Sequence, residues 1–550
     1  MKKNYFKKVV LATLTVGLIF TSCSDDSDDI VDKGKTEGEI GYVSLALINS
    51  SVRGMTKAEG SLHYGTADEN NVDSALIVLY DGATPASSKV KYHIKLTEIG
   101  TPGAPGGDMH SISPGSSATT YRTKAQEVVK ANYKLAVFIN PPAALDAVTA
   151  LDQTLGAMTA AASVTVDQLT MGKTKRDNFL MSNFAGLVDV LESDIYDTEA
   201  EAEVAPVKLN VERAVAKVTL GVASNLATAS ASLGATIGEI KWDVDVINKK
   251  TFWMRNPAEM LDAPSGTVVG TTTEVATAAN RIYMYAKDPN WDDFSHSRNT
   301  TLTDPLTDEF IYKTGTATLA LAPTTSTDPV NEDTYAYVTE NTMAALEQWE
   351  DVTTCVLISA VITPKKTFFG ETLNAGDQYF LFRNMAFTLR DIQEIHLAYS
   401  SDAQTITSAS GKTWKVLIAE AANAGIIALP GILEGMKGTE DFNEYTAAPS
   451  KSKDVIKSNG TVRFFAEDAP NYYYVPIRHF SDDLQADAMA YGRYGVVRNN
   501  WYNLSLNSIK SYGTAEIPTD RPDPDDKEES WLSVEFTILP WIERGQGIGL

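Results

Sequence analysis

Apolar and polar side chains alternate with a period of two in many short runs of this chain, most cleanly near the C-terminus. In residues 531–541, Leu532, Val534, Phe536 and Ile538 fall on one face. Ser533, Glu535 and Thr537 fall on the other, with Trp531 and Trp541 at the two ends. That pattern predicts a strand with one buried face. It stands behind an acidic, proline-broken stretch, residues 514–530. A solitary strand has two unpaired edges and nothing to bury against. Residues 531–541 are therefore either the last strand of the chain's own sheet or a part made for the sheet of another molecule.

Comparable runs, each bounded by turn residues, predict strands over 40–47, 75–80, 90–96, 133–139 and 178–182. In the second half they predict strands over 207–220, 237–253, 354–363, 472–477 and 496–506. The turn signals are specific: Asp81-Gly82 closes one run and Asn140-Pro141-Pro142 another. Residues 143–165 differ, because Leu145, Val148, Leu151, Leu155 and Met158 recur at helical spacing and predict one sizeable helix packed on a sheet. Many short strands with no fixed repeat period predict a mainly β chain and not a solenoid or propeller. The length of 550 residues exceeds the ~250–300 that one core usually serves. We therefore expect two β-sandwich domains with some inserted helix, 54–205 and 206–513, followed by an acidic linker and terminal strand over 514–550.

Charge and cysteine usage narrow the function. A net charge of −24 leaves no basic footprint for nucleic acid. Two cysteines, Cys23 and Cys355, are too few for a disulfide framework. Residues 1–22 read as a processing signal: Lys2, Lys3, Lys7 and Lys8 precede an apolar run over 9–20 that is too short for a comfortable membrane span. The run ends on Phe20-Thr21-Ser22-Cys23, which resembles a bacterial lipobox with cleavage before Cys23 and a lipid on its sulfur. The acidic cluster that follows Cys23 resembles the surface-export signal of Bacteroidota lipoproteins. With Cys23 lipidated, Cys355 lies in an apolar run and reads as a small buried hydrophobe.

Nothing in the sequence recommends catalysis, a cofactor or a metal. The six histidines, His63, His93, His110, His296, His396 and His479, are too far apart in sequence for a local zinc pair. Gly172-Lys173-Thr174 and Gly411-Lys412-Thr413 lack the earlier glycine of a phosphate loop, since Asp167 and Ile406 stand there. No nucleophile elbow occurs. Asp523, Asp525 and Asp526 lack the glycine turn and terminal glutamate of a calcium loop. Asp292 and Asp293 are adjacent and in a strand would point to opposite faces. Exposed Trp and Tyr could instead serve a surface glycan-binding lipoprotein, which is the alternative from a different class.

Arg53 is the only arginine in the first 121 residues, and it directly follows the first expected strand in a polar segment open to nicking. Cutting between Arg53 and Gly54 would release residues 23–53, with Cys23 and the strand carrying Tyr42, Val43, Leu45 and Leu47. The first domain would then lack a strand, and residues 531–541 have the pattern of a replacement. The 17-residue linker spans ~55–60 Å when extended. At this point the chain resembles the fimbrillins, the major fimbrial subunits of Bacteroidales type V pili, and is most like the subunit of the short, minor fimbriae. The resemblance rests on 211–217 (VERAVAK), 363–366 (TPKK), 496–500 (VVRNN) with Tyr502, 537–541 (TILPW) and the strand-then-arginine order of 42–53.

It implies two transthyretin-like β-sandwich domains and a lipidated precursor at the outer membrane. It also implies trimming after Arg53 by an arginine-specific or trypsin-like protease, and head-to-tail polymerisation of the chain by donor-strand exchange. The donor would be 531–541. The product would be a shaft subunit of a surface fimbrium supporting adhesion and biofilm formation, with accessory tip and anchor subunits as partners. A tip or anchor role is the alternative within the same class.

Overall fold

The computed structural model describes residues 31–33, 38–49, 68–82, 85–100, 107–111, 119–160, 162–170, 178–184, 186–255, 260–261, 285–291, 306–324, 334–344, 347–382, 385–388, 391, 462–479, 493–518, 525, 533–540 and 543–549. Among them the chain is mostly β, as the alternation predicts, and its several sheets are consistent with β-sandwich architecture.

The first half contributes β1 (Val31–Lys33), β2 (Ile40–Val43), β3 (Leu45–Asn49), β4 (Ala75–Asp81), β5 (Val90–Leu96), β6 (Ile99–Gly100) and β7 (Met109–Ser111). It continues with β8 (Thr119–Thr123), β9 (Gln126–Val129), β10 (Tyr133–Ile139), β11 (Met181–Asn183), β12 (Val188–Val190) and β13 (Val207–Arg213). One large sheet runs in the order β1-β5-β4-β10-β11-β13-β3-β8-β7-β6, with β12 also paired to β10; β2 pairs separately with β9. Strands β4 and β10 lie in its middle. Every side chain of residues 75–80 and 135–139 is buried, so these strands read as continuous apolar runs.

Two short helices, α1 (Ala143–Thr149) and α2 (Leu155–Thr159), put Leu145, Leu155 and Met158 into the same core. The single helix expected over 143–165 is thus divided, and α3 (Val166–Leu169) follows. Strand β5 is the cause. Val90 N donates to Gln153 O at 2.9 Å and Leu155 N to Ser88 O at 2.7 Å, so the entry to β5 takes backbone groups that a continuous helix would use. Asp152 adopts φ 63° to make the turn. Thr154 then caps α2 and Thr165 caps α3, each accepting a backbone amide.

The second half begins with β14 (Val215–Val222). It adds β15 (Ala235–Asp245), β16 (Tyr335–Thr339), β17 (Cys355–Pro364), β18 (Pro470–Pro476), β19 (Asn500–Ser508), β20 (Ser533–Pro540) and β21 (Glu543–Gly549). One sheet has the order β16-β14-β19-β20-β21 and another β15-β17-β18. Their inward residues form one core: Val218 and Leu220 from β14, Tyr502 and Leu504 from β19, Trp242 from β15, Ile358 from β17 and Val475 from β18. Cys355 is fully buried in β17. The expected long strand over 207–220 is two strands that change sheets at Ala214. The sequence division at 206 falls just before β13, and β13 is hydrogen-bonded into the first sheet.

Trp242 has no exposed surface, and its indole N–H donates to Ala322 O at 3.2 Å. Trp242→Ala empties the centre of the second core. We expect a loss of about 3–5 kcal/mol of stability, measured by chemical denaturation of the purified protein.

Candidate functional site

The strand predicted over 40–47 is present but broken. Ser44 separates β2 from β3; its Oγ donates to Thr123 O at 2.7 Å, and Leu45 N donates to Thr123 Oγ1 at 2.9 Å. Strand β3 is internal to the first sheet. It runs parallel to β13, from Val207↔Leu45 to Val211↔Asn49, and antiparallel to β8, from Ala46↔Arg122 to Asn49↔Thr119. Val43, Leu45 and Leu47 are buried in the first core. Tyr42 is half-buried and exchanges two backbone hydrogen bonds with Tyr196, at 2.8 and 2.9 Å. Lys130 holds the strand upstream: its amide donates to Glu39 O at 2.7 Å and its Nζ to Glu39 Oε1 at 2.6 Å.

Residues 31–49 therefore touch three separate edges. Strand β1 lies on β5, β2 on β9, and β3 between β13 and β8. Removing them would open a slot with a ladder of unpaired backbone groups on each side. Cys23, Arg53 and Gly54 lie outside the described residues, so their expected roles are not placed in this geometry.

At the other end of the chain, Val534, Phe536 and Ile538 fall within β20, while Trp531, Leu532 and Trp541 lie outside the described residues. Strand β20 meets β19 at Asn500↔Pro540, and β21 runs parallel to β19 from Trp501 to Ser508. The structure thus brings the terminal strand to the chain's own second domain and not to the slot around β3. The linker is held as well. Thr514 pairs with Tyr472 and Ile517 with Gly315. Asp525 N donates to Gln348 O at 3.1 Å, and its carboxylate accepts from Thr353 Oγ1.

Between the slot and the tail sits a cluster of buried charges at the crossover from β13 to β14. On one face, Glu69 Oε1 accepts from Lys217 Nζ and from the Tyr337 hydroxyl, both at 2.6 Å. Arg213 Nε donates to Glu69 O at 3.0 Å, and its other nitrogens to Asn70 and to Asn499 Oδ1. The Lys217 ammonium also stands over the rings of Tyr335 and Trp501, at 4.6 and 4.7 Å. On the other face, Arg255 donates to Glu212 at 2.9 Å and Arg498 Nε to Glu340 at 2.8 Å. None of these seven charged side chains is more than 3% exposed.

The alternation of a strand explains part of the arrangement: Glu212 and Arg213, neighbours in β13, point to opposite faces, while Arg498 and Asn499 reach the two faces from the turn that precedes β19. Asn499 adopts φ 59°, and its amide donates to Val215 O at 2.8 Å. Burial pushes the Glu69 carboxyl up, but the Lys217 charge and the hydrogen bonds from Lys217 and Tyr337 outweigh it and hold the group at about 2. Burial pushes Glu212 up to about 7, against the opposing pull of Arg255 and Arg498. The motifs 211–217 and 496–500 stood out in the sequence, but Glu69, Arg255 and Glu340 gave no sign of their partners. Glu69 sits in a polar run that reads as an exposed loop.

No cluster of metal-ligating side chains occurs among the described residues, and no helix there is long and apolar enough to cross a membrane. Among the described tryptophans, Trp242, Trp253, Trp291 and Trp501 are buried and Trp349 is half-buried.

Residues 465–547 match the family model described as the C-terminal part of fimbrillin, major fimbrial subunit protein type IV. That match supports a fimbrillin assignment. No curated protein matches the chain. Among solved structures, a fimbrilin from Porphyromonas gingivalis is similar at 13% identity, over 92% of this chain and 96% of that one, with a TM-score of 0.34. The tip fimbrial protein Mfa3 from Porphyromonas gingivalis, truncated at its C-terminus, is similar at 10% identity, over 91% and 99%, with a TM-score of 0.31. A fimbrial assembly protein from Parabacteroides distasonis is similar at 12% identity, over 58% and 82%, with a TM-score of 0.27.

The buried charges make two predictions. Arg498→Met removes the main partner of the buried Glu340, leaving it Arg255 at 4.0 Å and one backbone amide, and should cost about 3–5 kcal/mol in a denaturant titration. Adding Glu340→Gln should recover part of that loss. For pH, burial raises the folded-state pKa of Glu212 above its ordinary value of 4.5. Its contribution is fully present below about 4.5 and is lost as pH rises through about 7. The wild type should lose stability across that window relative to Glu212→Gln, checked by unfolding curves at pH 5 and pH 8; parallel curves would refute it.

Proposed function

We propose that this protein is a structural subunit of a surface fimbrial shaft, made as a lipoprotein through Cys23 and matured by cleavage after Arg53. It then polymerises head to tail by donor-strand exchange. The observation that carries the reading is the position of β3. It is an internal strand with a neighbour on each side, yet it belongs to the short N-terminal piece that a cut at Arg53 would detach. Few proteins would place a removable strand in the middle of a sheet unless another strand were to take its place. An internal vacancy offers two ladders to the newcomer, which is a stronger attachment than one open edge.

The replacement is residues 531–541 of a neighbouring copy. In the chain alone this segment lies beside β19, so donation requires it to leave that edge and swing on the linker. Head-to-tail donation of this kind builds an open filament. Accessory tip and anchor subunits would end it, and the lipid on Cys23 would hold the precursor at the outer membrane until a trypsin-like or arginine-specific protease acts. The fimbrillin match to 465–547, which includes β20, supports this assignment.

Surface-shed protein should begin at Gly54 by N-terminal sequencing. Arg53→Ala should give a full-length, lipidated monomer with no pilus ladder on an unboiled gel. A normal ladder from that variant would overturn the reading.

A further inference from the structure

The segment 50–67 leaves and re-enters the described structure at almost one place. Its upstream end is Asn49, paired with Val211 on β13. Its downstream end is the 3-10 turn Asp68–Asn70, where Glu69 bonds Lys217 and Tyr337, and Arg213 bonds the Glu69 carbonyl and Asn70. Both ends are thus held by residues 211–217 of the crossover, but by different means. Upstream the hold is a strand ladder. Downstream it is a buried ion pair with hydrogen bonds, reinforced where Asn140 Oδ1 accepts from Asp73 N at 2.8 Å and Asn140 Nδ2 donates to Asn71 O at 2.9 Å.

We infer that Glu69 is a latch: it fixes the chain downstream of 50–67 to the second domain, so that a cut within that segment frees the upstream strands alone. Without it, the stretch running back to β4, an internal strand of the same sheet, would keep only the Arg213 bonds to the Glu69 carbonyl and Asn70 and the Asn140 bonds to Asn71 and Asp73, and would lose its tie to β14 and β16. With it, the new N-terminal stretch is moored where the two domains meet. Glu69 acts as a positioning residue for both the slot wall β13 and the domain junction. The groups facing it are Lys217 from β14, Arg213 from β13 and Tyr337 from β16, and together they keep it ionised through the neutral and mildly acidic range.

The inference deepens the proposed maturation, but its test does not depend on it. A specific protease site is placed within 56–62 of the full chain, Arg53 is left intact, and the protein is cut with that protease. Hydrogen exchange is then followed by mass spectrometry in peptides covering 68–74 and 211–217. In the otherwise wild-type chain, exchange at 68–71 should change less than twofold on cutting. In Glu69→Ala it should accelerate at least tenfold after the cut, while peptides from β17 stay protected. Tyr337→Phe, which removes one of the bonds to Glu69, is the milder variant should Glu69→Ala not fold, and should accelerate exchange by a smaller factor.

Loss of protection at 68–71 in the cut wild-type background, or unchanged exchange in Glu69→Ala, would overturn the latch. If Gly54 proves not to be the natural N-terminus, the maturation reading fails while this result stands.

Discussion

The crossover at Ala214 is the constraint on which the rest of the molecule depends. One stretch of chain, β13 and then β14, belongs to both large sheets, and it is gripped from its two faces by buried charges. Isolated charges in an interior are costly, and they persist only where each finds a partner and further hydrogen bonds. Here Glu69, Tyr337, Lys217 and Arg213 satisfy one another on one face, and Glu212, Arg255, Glu340 and Arg498 form ion pairs on the other. Apolar side chains could fill the same volume, but they would allow many relative placements of two sheets. Directional bonds from both faces select one.

That choice matters because the two ends of the crossover have different neighbours. Upstream, β13 is one wall of the position held by β3. Downstream, β14 runs beside β19, which carries β20 and β21. The strand that would leave and the strand that would be donated are thus one or two strands away from the same continuous backbone. Fixing the crossover fixes where a vacancy stands relative to a tail, which any regular polymer of this chain would need.

The sequence made some of this legible and concealed the rest for identifiable reasons. The alternation in 40–47 and 531–541 announced strands, because side-chain period reports faces. It could not announce which edge 531–541 would meet, since pairing partners leave no mark in a single strand. The break at Ser44 was hidden because a serine fits the polar phase of the alternation; only Thr123, distant in sequence, makes it a corner. The helix over 143–165 failed in the same manner, when β5 claimed its backbone groups. Glu69 was the least visible, because an acid in the polar run of Asp68, Asn70 and Asn71 looks like solvent-facing loop until Lys217 and Tyr337 close over it.

The linker, too, is more than a length of chain. It is pinned to the second domain at Ile517, which pairs with Gly315, and again at Asp525, which bonds Gln348. A pull on the tail would load the Asp525 contacts first, because they lie nearest the tail. Only after their release would the pairing at Ile517 bear load. The two contacts would thus share a pull on the tail in sequence, where a linker free of the second domain would transmit every tug directly to the strand at its end.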